Sequence, residues 1–102
     1  STLARFAYLN YPRDFLKHCT LVSTFEPCAM CAATMYWSGI GHLVYGASEA
    51  DLLELTGSHP ENPTLDLPCR EVLSRGQLSI GVHGPIAALR EELLAPHRAF
   101  WQ

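Results

Sequence analysis

The sequence predicts an α/β protein whose mainly parallel sheet is covered by helices on both faces. Runs rich in β-branched and aromatic residues alternate along the chain with segments whose apolar residues recur at helical spacing. This alternation is typical of β-α-β units, in which a helix returns the chain to the start of the next parallel strand. The 102 residues allow one domain, which we assign to residues 1–102.

The first half of the chain predicts two helices and two strands. Leu3, Phe6 and Ala7 share one face of the opening helix. Gly39 is expected to end the second helix, because glycine adopts the left-handed conformation of a helix C-terminus without strain. The elements are, in order, a helix over 1–9, a turn over 10–14, a strand over 20–25, a helix ending at Ser38 and a strand over 42–46.

The second half predicts three helices and one strand. Ser48 and Asp51 have the spacing of a capping box, which places a helix start at Ser48. Pro96 is expected to stop the last helix, because proline cannot donate the next helical hydrogen bond. The elements are a helix from Ser48 to Leu55, a proline-rich loop over 57–68, a short helix ending at Gly76, a strand near 78–83 and a helix over 85–94.

The most informative residues are Cys28 and Cys31, where a predicted strand ends and a helix begins. Pro27 is tolerated as a first helical residue, which would place both cysteines in the first turn. Their spacing puts both thiols on one helix face, and the positive end of the helix dipole favours thiolates. Two such thiolates can bind zinc. The same spacing occurs in thioredoxin-like redox sites and in pairs of cysteines that are simply buried. The spacing alone therefore does not distinguish a zinc site from these two alternatives.

The residues around this pair resemble the zinc-dependent cytidine and nucleoside deaminase superfamily, in its guanine, cytosine and tRNA-adenosine deaminase branch. The resemblance is carried by Thr24–Ala33, Met35–Ile40 and Leu43–Gly46. Further on, Glu61–Val72 and Phe100–Trp101 are similar to a bacterial nucleoside deaminase subgroup. The resemblance implies a three-layer α/β/α, cytidine-deaminase-like fold whose N-terminal strands are absent from this chain.

The resemblance also implies zinc-dependent hydrolytic deamination of a guanine-, cytosine- or adenosine-type base or nucleoside. In the family, the cysteines of P-C-x-x-C and the histidine of an upstream H-x-E hold Zn²⁺, and the glutamate of H-x-E shuttles protons without binding the metal. Cys28 and Cys31 would therefore be metal ligands, with the missing H-x-E expected just before Ser1. This chain would then be a partial domain that contains no catalytic residue and is inactive alone. Glu26 is interpreted as a structural or capping carboxylate.

Two later triplets have the pattern of the missing motif, but both follow the cysteine pair, in reversed order. His59 begins His-Pro-Glu among glycine, serine, proline and asparagine residues, a composition typical of a loop. Cys69 begins Cys-Arg-Glu and is interpreted as a small buried apolar residue at the start of a short helix. Neither residue is expected to bind zinc.

Four residues are candidates for substrate binding. His59 and Asn62 would contact the edge of a base. Phe100 and Trp101 would form an aromatic lid, as the C-terminal segment does in guanine-deaminase-like relatives, or would pack in the core.

Composition narrows the expected partners and location. The net charge is −3 and the seven Lys and Arg are scattered, which favours a small base or nucleoside over RNA. No apolar run approaches the roughly 20 residues of a membrane span, and no secretion signal is recognised, so we expect a cytoplasmic protein with reduced thiols. We also expect a homo-oligomer, as the family implies a dimer, or pairing with a missing N-terminal fragment.

Two other functions remain open. A catalytically inactive deaminase-fold module for binding or assembly would keep the two cysteines and lack the glutamate of H-x-E in its full-length form. A C-x-x-C thiol redox protein would form a reversible disulfide between Cys28 and Cys31 without metal.

Overall fold

The computed structural model describes residues 1–56, 65 and 67–101, and describes only the backbone of residues 56 and 99–101. Over these residues the chain alternates between helices and strands, as predicted. The elements are α1 (Thr2–Asn10), α2 (Arg13–Leu16), β1 (Thr20–Phe25), α3 (Ala29–Ser38), β2 (His42–Ala47), α4 (Glu49–Thr56), α5 (Cys69–Ser74), β3 (Gly81–His83), a 3₁₀ turn (Ala87–Leu89) and α6 (Arg90–Trp101).

The described strands form one parallel sheet in the order β1-β2-β3. In the register of β1 and β2, Thr20 lies beside His42 and Phe25 lies beside Ala47. Both strands therefore end at the same edge of the sheet, and the segments that follow them leave side by side. The parallel sheet predicted from the alternation is confirmed.

Helices cover both faces of this sheet and give the three layers that the resemblance implies. Helices α1, α3 and α5 pack together over the face of β2 that presents Leu43 and Tyr45. Helix α6 covers the opposite face at Gly46, and α4 packs against α6. The core on the α3 side consists of Ala4, Leu16, Ala32, Met35, Ile40, Leu43, Tyr45, Cys69 and Leu73. None of the described helices is long and apolar enough to cross a membrane.

Two predicted helix boundaries are confirmed by their hydrogen bonds. Gly39 has a φ of 91° and its N–H donates to the carbonyl of Tyr36, which ends α3 after Ser38. The Ser48 hydroxyl accepts the N–H of Asp51 at 3.1 Å, which is the predicted cap of α4.

The predicted turn over residues 10–14 is wrong in its second half, because a short helix, α2, begins at Arg13. The carbonyl of Pro12 accepts the N–H groups of Phe15 and Leu16, which forms the helical turn. Its ends are held by tertiary contacts, since Leu16 is buried and the Arg13 guanidinium donates to the carbonyl of Trp37 at 2.8 Å. A four-residue helix is too short to give a periodic pattern in the sequence.

The predicted stop at Pro96 is also wrong, because α6 begins at Arg90 and continues through Pro96 to Trp101. An internal proline costs a helix about 3 kcal/mol. Packing on both sides of it offsets this cost, since Leu94 is buried and the His97 ring lies 4.9 Å from that of Phe25. The last described strand is shorter than predicted, since it covers only Gly81–His83 of the predicted 78–83.

Helix α1 packs through its small residues. Ala4 is buried, whereas Leu3 and Phe6 of the predicted apolar face are more than half exposed. Ala32 on α3 is buried in the same core cluster as Ala4, and α1 packs against α3.

The core position of α3 gives a first test. Met35 is fully buried and Met30, on the same helix, is 66% exposed. Met35→Ala is expected to lower the free energy of unfolding by about 2–5 kcal/mol, because it leaves a cavity. Met30→Ala is the control and is expected to change it by less than about 0.5 kcal/mol. Urea denaturation measures both, and equal losses would contradict the described packing.

Candidate metal centre

Cys28 and Cys31 lie where the chain leaves β1 and starts α3. Cys28 is the N-cap residue, with extended backbone (φ −66°, ψ 173°), and its carbonyl accepts the N–H of Ala32 at 2.8 Å. Cys31 is the third residue of the helix. The prediction that Pro27 opens the helix is therefore wrong by two residues, because Cys28 still has extended backbone. The Cys28 side chain caps no helix N–H, which leaves its thiol available to a ligand.

The two thiols are free, partly exposed and in contact with each other. Partial burial alone would raise the pKa of Cys31. Hydrogen bonds from the Ser1 hydroxyl, the Ser1 amine and Cys28 outweigh the burial and lower the pKa of Cys31 below its ordinary value. The hydrogen bonds of the Ser1 hydroxyl and of Cys28 favour the thiolate, which is the form that binds metals.

The amino end of α1 meets Cys31 and Thr34 on α3. The Ser1 amine lies 3.6 Å from Sγ of Cys31, and the Ser1 hydroxyl lies 3.1 Å from that of Thr34. The N-termini of α1 and α3 thus converge, and both helix dipoles present their positive ends to the thiols.

The described part of the chain offers two candidate donors for a metal ion and holds no group of three His, Cys, Asp or Glu that would bind one. Two thiolates at one helix start fit half of a tetrahedral zinc site, since zinc is bound by two cysteines and one histidine in some catalytic sites. The donor set therefore suits zinc and needs at least one further protein ligand.

Cys69 is not a third ligand in this arrangement. It is fully buried at the start of α5, as the sequence predicted. Burial and the adjacent Glu26 carboxylate raise the pKa of the Cys69 thiol to about 12, so it stays protonated near neutral pH.

Glu26 uses both carboxylate oxygens on backbone N–H groups. Oε1 accepts the N–H of Glu49 at 3.0 Å and Oε2 accepts the N–H of Cys69 at 2.6 Å. Glu49 and Cys69 are the first residues of α4 and α5, which confirms the interpretation of Glu26 as a capping carboxylate. A carboxylate occupied in this way is poorly placed to carry protons to a substrate.

A second polar contact, which the sequence analysis missed, lies behind Glu26. The Arg70 guanidinium donates to the Tyr45 hydroxyl at 3.1 Å and to the carbonyl of Val82 at 3.2 Å. Burial, followed by the charge of Glu26, raises the pKa of Tyr45 above its ordinary value. Tyr45 lies in an apolar strand and Arg70 in a short helix, so no local pattern signals that they meet.

The four candidate substrate residues are not brought together by the described structure. His59 and Asn62 lie outside the described residues. Phe100 and Trp101 belong to the last turn of α6, and their side chains lie outside the description too. The contact of His97 with Phe25 places this part of α6 beside the C-terminal end of β1, where the chain continues to Cys28.

The different environments of the cysteines predict different reactivity in the metal-free, folded protein. At pH 8 a thiol with a pKa of about 12 is ionised in only about one molecule in 10⁴. Cys69 is therefore expected to react with iodoacetamide more than about 100-fold more slowly than Cys31. Timed labelling with chelator present, read by peptide mass spectrometry, measures both rates, and labelling in urea is the control. Equal rates in the folded protein would contradict the described burial.

Comparison with known proteins agrees with the geometry. Residues 2–47 match the family described as the cytidine and deoxycytidylate deaminase zinc-binding region. A probable cytosine deaminase of Schizosaccharomyces pombe is 38% identical over 89 residues, which are 87% of this chain and 54% of that protein. A tRNA(Ile)-lysidine synthase of Deinococcus radiodurans is 53% identical over 34 residues, which are 33% of this chain and 6% of that protein.

The chain thus spans about half the length of the S. pombe relative. The matched residues run from α1 to β2 and include both cysteines of the candidate metal centre. The family match and the S. pombe relative both support the cytidine deaminase superfamily as the family of this chain.

Proposed function

We propose that this chain belongs to a zinc-dependent nucleobase or nucleoside deaminase and supplies Cys28 and Cys31 as two of its zinc ligands. The observation that carries the proposal is the pair of free, partly exposed thiols, three residues apart at the start of α3. The pair lies within the residues that match the zinc-binding region of the family. Thiolates so placed are suitable zinc ligands.

The third ligand and the proton-shuttling glutamate would come from an H-x-E motif joined to the amino side of Ser1 or supplied by another chain, and not from His59 to Glu61. The 3.6 Å between the Ser1 amine and Sγ of Cys31 supports a position on the amino side of Ser1. Residues joined there would continue α1 towards the cysteines, and the same residues on another chain would serve equally well.

The residues of this chain would hold the metal and stabilise negative charge. Zinc, when bound, supplies the Lewis acidity that lowers the pKa of a water molecule towards neutrality. The first N–H groups of α3 have no intrahelical partner and no cap from Cys28, so they can donate to an oxygen on which negative charge develops. Overall, water replaces the exocyclic amine of the base by a carbonyl oxygen, and ammonia is released.

Cytosine is the first substrate to test, because the S. pombe relative carries the name of a probable cytosine deaminase. The scattered Lys and Arg and the net charge of −3 support a free base or nucleoside over RNA.

We also propose that a further polypeptide segment packs beside β1. Among the described strands β1 lies at a sheet edge, which leaves one row of its backbone groups without a ladder. Leu3, Phe15 and Val22 are more than half exposed. A second copy of the chain, or an N-terminal segment of the same protein, would cover this side.

Cysteine variants of the protein that carries this sequence test the metal proposal. Cys28→Ser or Cys31→Ser is expected to weaken zinc binding by more than about 100-fold, because changing even an outer-shell partner costs about 10- to 100-fold. Zinc content by atomic emission and ammonia release from cytosine are expected to fall together. Cys19→Ser is the control, since the Cys19 thiol donates to the carbonyl of Phe15 and lies at neither helix start.

Other results would favour the other two functions. Absence of zinc together with a reversible disulfide between Cys28 and Cys31 would indicate a thiol redox protein. Stoichiometric zinc without ammonia release from any base or nucleoside would indicate an inactive binding or assembly module.

A further inference from the structure

Glu26 joins three separate parts of the backbone beside the candidate metal centre. Its own N–H donates to the carbonyl of Ala47 at 2.8 Å, which extends the pairing of β1 with β2 by one residue. Its carboxylate accepts the N–H groups of Glu49 and Cys69. The residue therefore binds the end of β2, the start of α4 and the start of α5 at once.

These bonds fix the short connection that carries the metal ligands. Only Pro27 separates Glu26 from Cys28, and Pro27 is buried with a φ that its ring restricts. A displacement of Glu26 is thus transmitted to Cys28 with little freedom to absorb it. From Cys28 the displacement passes to Cys31, because the Cys28 carbonyl is bonded within α3.

The bonds need a carboxylate in particular. Each oxygen accepts from a different helix start, so both must be acceptors. Glutamine offers one acceptor oxygen, and its NH₂ group would face a backbone N–H. Replacement of Glu26 by glutamine therefore removes one of the two bonds and leaves a donor opposite a donor.

We propose that Glu26 is a positioning residue for the metal centre, which holds Cys28 and Cys31 in the geometry that binds the metal. The inference rests on the proposed function, in which these two cysteines are zinc ligands. Without the hydrogen bonds of the Glu26 carboxylate, the start of α3 can shift relative to α4 and α5. The ligands then have to be ordered when the metal binds, which weakens affinity and alters coordination geometry.

Cobalt(II) titration of the protein that carries this sequence tests the role, because the visible spectrum of Co²⁺ reports both affinity and geometry. Glu26→Gln is expected to raise the dissociation constant for Co²⁺ about 10- to 100-fold and to change the d–d bands. Glu54→Gln is the matched control, since it removes the same charge from an exposed site on α4. It is expected to leave the constant and the spectrum unchanged.

A second pair of variants leaves Glu26 in place and removes one of its partners. Glu49 is the first residue of α4, a position where proline is tolerated but offers no N–H. Glu49→Pro and Glu49→Ala both remove the side chain, and only the proline also removes the donor to Oε1. The proline variant is expected to bind Co²⁺ about tenfold more weakly than the alanine variant, because it lacks the hydrogen bond from residue 49 to Oε1 of Glu26.

The outcomes separate the two proposals. If the unsubstituted protein binds no Co²⁺ or Zn²⁺, the proposed function fails and the positioning role fails with it. If that protein binds the metal and a folded Glu26→Gln variant has the same affinity and spectrum, the positioning role alone is overturned. If Glu26→Gln does not fold by circular dichroism, the Glu49 pair decides: weaker binding by the proline variant supports the role, and equal binding by both overturns it.

Discussion

The hydrogen bonds of Glu26 are the constraint on which the arrangement of the candidate metal centre depends. Parallel pairing of β1 with β2 ends both strands at one edge of the sheet, but pairing alone does not hold the segments that follow. Glu26 links those segments through the N–H groups of Glu49 and Cys69. The connection over residues 26–28, α4 and α5 are thereby fixed to one another and to the sheet.

The surroundings of this carboxylate are suited to keep it in place. Cys69 and Tyr45 are buried beside it, and Arg70 donates to the Tyr45 hydroxyl. A buried polar group destabilises a protein unless it is hydrogen-bonded, and here the polar atoms find partners in backbone N–H groups and in Arg70. Glu26 also accepts hydrogen bonds from N–H groups at the starts of two helices, as a side-chain cap does. The same residue therefore stabilises the fold and orders the neighbourhood of the thiols.

Local sequence predicts the parts of the fold that local physics determines. The strand Thr20–Phe25 is predicted at its observed limits, because β-branched and aromatic residues fill it and Pro27 follows. Gly39 and Ser48 mark helix boundaries through their own backbone and side-chain chemistry. Helix α2 and the passage of α6 through Pro96 escape prediction, because contacts distant in sequence stabilise them against local preference.

Local sequence likewise predicts only part of the candidate site. The spacing of Cys28 and Cys31 reveals the thiol pair, whereas the partners of Glu26 lie 23 and 43 residues away and no pattern near Glu26 identifies them. The roles of His59, Asn62, Phe100 and Trp101 in substrate binding stay predictions.

The most direct test of the account is the zinc X-ray absorption spectrum of the protein that carries this sequence. The account predicts two sulfur ligands at about 2.3 Å and the remaining ligands as nitrogen or oxygen at about 2.0–2.1 Å. Zinc with four sulfur ligands, zinc without sulfur, or a protein that purifies without zinc would contradict it.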